Sequence, residues 1–360
     1  MKTFSLANKK NFFTYGLVIV SYGIMQTLMS GGNLTASLQG QLVPICAYIV
    51  MAVSLNLTVG VMGDLSIGHA GFMSVGAFTG AIACIALERF ISVPFLLLAV
   101  GMIVGAICAA LVGILVGIPV LRLKGDYLAI VTLAFGEIIK NIMNCLYVGL
   151  DEGRLHFGFL LSGVRDLNMG ETGRVIVDGP MGLRAIPRIS TFGMGFVLVM
   201  ITLIIVLNLI SSRSGRAIMA LRDNRIAAES VGISVVKYKM LAFITSAALA
   251  GAAGTLYSMN FSTTVASSFG FNMSILILVF VVLGGLRSVL GSVVAAVLLT
   301  VLPELLRQFN DYRMLVYAIV LILVMIATNN GTVRAFIGRG KNAVFSLFRK
   351  KSNTEGGGAV

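Results

Sequence analysis

Long runs without a single charged side chain constrain this chain more than any other feature. Asn11–Gly63, Phe90–Leu121, Ile189–Ser212, Met240–Leu286 and Met314–Val333 each lack Asp, Glu, Lys and Arg. A helix needs about 20 mostly apolar residues to cross a bilayer core of ~30 Å, and these runs are long enough to supply one or two crossings each. Splitting them at Gly, Pro and polar clusters, and adding two apolar stretches between them, predicts spans at 12–30, 42–62, 70–87, 93–120, 127–148, 193–211, 240–259, 272–285, 289–303 and 314–328. The eighth and ninth are short for full crossings, so 272–303 is expected to form a broken or re-entrant pair. The fold class is therefore all-α, a polytopic integral membrane protein of about ten spans.

Composition closes the soluble alternative. Hydrophobic residues make up 58% of the chain, charged residues only 11%, and the mean hydropathy is +0.98. Soluble domains carry roughly 25% charged residues, and their cores could not hide this much apolar surface. The net charge of +13 does not point to nucleic acid, because the cations gather between apolar runs and in the tail. With ten spans and the N-terminus inside, 18 Lys and Arg fall in inner segments and 8 in outer ones, as the positive-inside rule requires. Both termini are expected to be cytoplasmic. Lys2, Lys9 and Lys10 before the first apolar run mimic a signal peptide, but that run exceeds the usual ~7–15 residues and lacks a cleavage site. It reads as an uncleaved first span.

The chain thus divides into a transmembrane domain over 1–328 and a basic cytoplasmic tail over 329–360. Two hydrophilic segments exceed ordinary connections: an extracytoplasmic loop at 149–192, with turn chemistry in Asp178-Gly179-Pro180 and Pro187, and an inner segment at 213–239 that reads as short amphipathic helices. Gly-broken apolar stretches recur near 63–76 and 284–291, a pattern that can mark a transport path.

Soluble catalysis finds nothing to stand on. His69 and His156 are the only histidines and neither lies in HExxH. Cys46, Cys84, Cys108 and Cys145 have no CxxC spacing and sit in apolar stretches, as small core residues do. No cofactor site and no metal site are expected. Gly340-Lys341 continues to Asn342, not to Ser or Thr, so ATP that drives this chain must bind another one.

Three segments can carry chemistry. In Gly63–Gly71, Ser66 and His69 can offer hydrogen bonds to a polar solute while Gly68 permits close backbone approach; a tight turn whose His caps a helix fits the same residues. Glu137 and Lys140 fall within a span at i, i+3, on one helix face, where they can neutralise each other. Isolated intramembrane charges cost about 2.5–3.5 kcal/mol, so the pair is either a polar site on a path or a structural pair between helices. The segment 213–239, with Arg216, Arg222, Asp223, Ala227, Ala228, Glu229 and Gly232, fits a helix–turn–helix that enters a partner's groove, or a surface helix at the headgroups.

Together, Leu65-Ser66-Ile67-Gly68-His69-Ala70, the stretch 121–140 (LRLKGDYLAIVTLAFGEIIK) and the stretch 213–254 resemble the permease subunits of branched-chain amino-acid ABC importers of the LivM type. The resemblance covers about 45–328. It implies an inner-membrane pore subunit paired with a second homologous permease, two cytoplasmic ATPase subunits that bind ATP, and an extracytoplasmic solute-binding protein. It also implies that Asp223, Ala227, Ala228, Glu229 and Gly232 match an ATPase-coupling loop, and that Gly68, His69, Glu137 and Lys140 match membrane positions. Asp64 looks like the related sugar-type permeases, and Arg225 stands where an acidic residue is more usual. Urea-type permeases share much of the pattern, and a stand-alone secondary transporter or channel is the rival from another class.

Overall fold

A computed structural model describes residues 2–32, 35–123, 125–151, 154–159, 167, 173–184 and 186–306, with 312, 315, 316, 318, 319 and 322 beyond. The chain divides into two units, Met1–Val301 and Leu302–Val360. The tail at 329–360 lies outside the described residues, as does most of the expected span at 314–328.

Among the described residues, five helical segments are long and apolar enough to cross a membrane: Ser37–Met62, His69–Leu87, Pro94–Val120, Phe192–Ser211 and Val235–Ser258. They correspond to α2 (Ala36–Asn56) with the π-turn Leu57–Met62 that continues it, α3 (His69–Leu87), α4 (Pro94–Val120), α6 (Phe192–Ser211) and α9 (Val235–Ser258). Two further helices, α1 (Lys2–Ser30) and α5 (Asp126–Asn144), coincide with expected spans. The pair expected at 272–303 is two short apolar helices, α10 (Phe271–Gly284) and α11 (Val289–Leu305), separated only by residues 285–288. At that corner Gly284 and Gly291 lie backbone to backbone.

The centre is a close-packed trio, α3, α4 and α9. Lipid tails are as apolar as the side chains, so burial does not drive such helices together; close backbone contact and buried hydrogen bonds do. The sequence provides both. Gly76 of α3, Gly105 of α4 and Gly251 of α9 meet where any side chain would overlap a neighbouring carbonyl. Thr255 Oγ1 donates to Gly76 O at 2.8 Å and Ser258 Oγ to Ala77 O at 3.1 Å, tying α9 to α3. The outer face of α4 carries Ile103, Ile107, Leu111, Leu115 and Ile118, all exposed, as a lipid-facing stripe would be. Against α6, Tyr22 of α1 stacks on Phe192 and Phe196, at centroid distances of 5.0 and 4.0 Å.

The expected extracytoplasmic loop departs from an all-α reading. Helix α5 ends at Asn144, short of the expected 148, and Leu146 opens an antiparallel sheet of order β2-β1-β3: β1 (Leu146–Asp151), β2 (Arg154–Phe159) and β3 (Arg174–Asp178). Val148 and Val177 are fully buried at the β1–β3 pairing, whereas Phe157 of β2 is exposed. Past the turn at Gly179–Met181, Leu183 exchanges backbone hydrogen bonds with Thr264, which fastens the loop to the α9–α10 connection.

Candidate functional site

The segment 63–68 links the π-turn to α3, and it lies against α5. Thr132 Oγ1 accepts the Ile67 N–H at 3.1 Å, and Gly68 sits so close to the Thr132 carbonyl that a Cβ would overlap it. Gly71 and Gly136 repeat that contact one turn on. From the other side, Ser274 Oγ of α10 accepts the Ala70 N–H at 3.2 Å. Two helices, α5 and α10, thus converge on the start of α3.

Glu137 follows Gly136 and reaches α10: one carboxylate oxygen accepts the Phe271 N–H at 3.0 Å and the other takes a hydrogen bond from Lys140. The expected i, i+3 pair therefore forms. Its negative member also lies at the N-terminus of α10, where orphan N–H groups and the helix dipole favour an anion. The side chains are 34% exposed for Glu137 and 20% for Lys140, so the pair is neither sealed nor free. The junction is lined by Gly68, Gly71, Gly136, Glu137, Gly270 and Ser274 and is packed too tightly to hold a water molecule.

His69 is not among the residues that line this junction. It is 1% exposed, its Nε2 pairs with Ser54 Oγ of α2 at 2.8 Å, and Ser54 O accepts from Ser246 Oγ of α9 at 2.6 Å. The Ser54 hydroxyl already donates to Met51 O at 2.9 Å, so Nε2–H is the donor to Ser54. His69 thus ties α2 to α3. Ser66 differs: its hydroxyl is buried with no hydrogen-bond partner among the described residues.

The inner segment folds as expected into two short helices, α7 (Arg213–Asp223) and α8 (Arg225–Ser230), before α9 begins at Val235. Ser212 and Asn224 cap them, accepting the Gly215 and Ala227 N–H groups at 3.1 and 3.0 Å. Gly232, at φ +85°, ends α8 in a Schellman arrangement, with Ile233 N–H on Ala228 O at 3.1 Å and Gly232 N–H on Glu229 O at 3.0 Å. Ile233 then packs on Leu221, Ala228 and Val235. Ala228 is therefore inside this small cluster, at 5% exposure, although the resemblance sets it with Ala227 in a coupling loop. Ala227, Asp223 and Glu229 are exposed, Glu229 pairing with Arg225 at 3.1 Å, and Arg216 reaches back to Ser211 O at 3.1 Å. The exposed apolar residues of the tip are Ile226, at 78%, and Val231, at 76%.

The candidate residues thus fall in two groups, one around Gly68 and Glu137 and one around α7–α8. Sequence reasoning did not anticipate what joins them. Lys239 Nζ grips both carboxylate oxygens of Asp64, at 2.7 and 2.6 Å, and Arg222 donates to Gly60 O at 3.1 Å. The one signal for it was that Asp64 and Lys239 each stand at the edge of a charge-free run. Among the described residues no group of three His, Cys, Asp or Glu is placed to hold a metal.

Comparison with known proteins places these features in context. The family described as branched-chain amino acid transport system / permease component matches residues 37–325. The high-affinity branched-chain amino acid transport system permease protein LivM of Escherichia coli is 34% identical over 313 residues, covering 78% of this chain and 66% of that protein. A probable branched-chain amino acid transport permease protein LivH of Methanocaldococcus jannaschii is 25% identical over 300 residues, covering 81% of this chain and 88% of its own length. The chain spans about 66% of the length of the LivM relatives it matches. No solved structure gives a significant match. With the family matched over residues 37–325, the π-turn and the α7–α8 segment included, the chain belongs to the branched-chain amino-acid transport permease component family.

Proposed function

We propose that this chain is the membrane-spanning permease subunit of an ABC importer that moves branched-chain amino acids across a bacterial inner membrane by alternating access. It catalyses no reaction itself. ATP binds and is hydrolysed on two cytoplasmic ATPase subunits, a second homologous permease completes the pore, and an extracytoplasmic binding protein delivers the solute. Both termini are cytoplasmic in this reading, which the excess of cations in the segments it places inside supports.

The observation that carries this reading is the tip of the inner segment. Two large apolar side chains, Ile226 and Val231, stand exposed on a helical stub whose own core is already filled by Leu221, Ala228 and Val235. Such a stub is rigid and presents an apolar anchor to another chain, the arrangement of helix-in-groove recognition. Beside the tip, the exposed carboxylates of Asp223 and Glu229 supply a polar rim. On the solute side, Ser66, Gly68, Glu137 and Lys140 line or flank the convergence of α3, α5 and α10; His69 supports it from behind.

The test is purification followed by uptake. The chain should co-purify with a nucleotide-binding chain, and the reconstituted complex should take up labelled leucine only with ATP inside the liposome lumen that corresponds to the cytoplasm. Uptake by the chain alone, driven by an ion gradient, would establish a secondary transporter instead. Uptake of urea in place of leucine would reassign the solute. Impermeant thiol labelling at Ile226→Cys in intact cells would overturn the orientation if it succeeded.

A further inference from the structure

The π-turn Leu57–Met62 stands between the two groups of candidate residues. A π-turn holds one more residue than an α-helical turn, and such turns gather at functional sites. Moving the extra residue in or out rotates the downstream chain by about 100° and slides it by about 1.5 Å, one residue's share of a helix. A turn able to take both arrangements is the kind of element that coupling between distant sites uses.

Among the described residues, the side-chain hydrogen bonds that reach this turn and Asp64 from the inner segment come from two cations. Arg222, on α7, donates to Gly60 O at 3.1 Å within the turn, and its stem lies over Gly63, which closes the turn at φ +82°. Lys239, on α9, holds Asp64, the next residue, through both carboxylate oxygens. The pair is mostly buried, at 11% exposure for Lys239 and 18% for Asp64, so water does little to loosen it. On the opposite side Gly60 meets the Leu286 carbonyl at the α10–α11 corner. Four residues beyond Asp64, Gly68 presses on Thr132 and Gly136 of α5, immediately before Glu137.

We propose that Lys239 and Arg222 are positioning residues that clamp the π-turn and Asp64, so that displacement of the segment 213–239 is delivered through Gly68 to α5 and the Glu137–Lys140 pair. Neither cation touches solute in this role. Their work is to make the turn move with the inner segment. The inference rests on the importer reading for its driving force, though the clamp itself is a property of this chain.

The experiment uses the complete importer in liposomes, with Lys239→Met, Lys239→Arg and Asp64→Asn, and reads ATP hydrolysis, leucine uptake and hydrogen–deuterium exchange over 57–68. Lys239→Met should keep its ATPase partners and hydrolyse ATP within about twofold of wild type, while leucine moved per ATP falls about tenfold. Exchange over 57–68 should rise in the same variant, and Lys239→Arg should restore both. If Lys239→Met does not assemble, Asp64→Asn, nearly isosteric, carries the same expectation. Uptake and hydrolysis falling in equal proportion, or exchange over 57–68 unchanged from wild type, would overturn the proposal. If the wild-type complex takes up no leucine, the importer reading fails by itself, and exchange in the purified chain still decides whether the clamp exists.

Discussion

Glu137 on α5 holds the first N–H of α10 by accepting from Phe271 at 3.0 Å, while Lys140 occupies its second carboxylate oxygen. The charge pair is therefore also the joint between two helices that are far apart in sequence. A carboxylate in this position is stabilised twice, by an ammonium and by the positive end of a helix.

Removing one charge is expected to be worse for stability than removing both. Glu137→Gln leaves Lys140 uncompensated, at a cost near the ~2.5–3.5 kcal/mol of a lone intramembrane charge, whereas Glu137→Gln with Lys140→Gln leaves two groups that can still share hydrogen bonds. Melting of the detergent-solubilised protein should rank wild type, double variant, single variant in descending order. Uptake by the double variant should nevertheless be lost. Transport at the wild-type level in that double variant would make the pair purely structural.

The glycine crossing of α3, α4 and α9 admits no added volume. A Cβ on Gly251 would press on Ala109 and the Gly105 carbonyl, and one on Gly76 would overlap the Gly251 backbone. Gly76→Val should force the helices apart and destabilise by at least the ~1–3 kcal/mol of an overpacked core. The readout is the yield of folded, monodisperse protein. Gly23→Val, with open space around it, should leave that yield unchanged.

Much of this architecture was written in the sequence, and the omissions have physical causes. Charge-free runs located the helices because lipid demands apolar side chains over a fixed length. Glu137 and Lys140 were legible as a pair because both lie on one helix, three residues apart. Asp64 with Lys239, and Arg222 with Gly60, were not, because each joins positions more than 150 residues apart and depends on tertiary placement. The sheet at 146–178 was hidden because its first strand, Leu146–Asp151, continues the apolar pattern of α5 without a break.

Labelling should separate the outer surface of the α7–α8 stub from its interior. Ile226 and Val231 are exposed while Ala228 is 5% exposed, so Ile226→Cys should cross-link to an ATPase subunit and Ala228→Cys should not. Gly232→Val should abolish the Ile226→Cys adduct as well. A β-branched residue at φ +85° costs at least the roughly 1–2 kcal/mol paid by any L-residue in the left-handed region, which unwinds the Schellman end of α8. Equal adducts from Ile226→Cys and Ala228→Cys would show that the stub is not packed as described.

Ser66 distinguishes a residue kept for the fold from one kept for the solute. It is 2% exposed, and its hydroxyl has no hydrogen-bond partner among the described residues. A buried hydroxyl without a partner forfeits about 1–3 kcal/mol of hydration, so Ser66→Ala removes a destabilising group and leaves almost no void. The variant should melt higher than wild type. If the hydroxyl serves a passing amino acid, leucine uptake should fall in the same variant although the protein is more stable. A stability change and an uptake change of opposite sign have no purely structural explanation, whereas higher stability with unchanged uptake would remove Ser66 from the solute path.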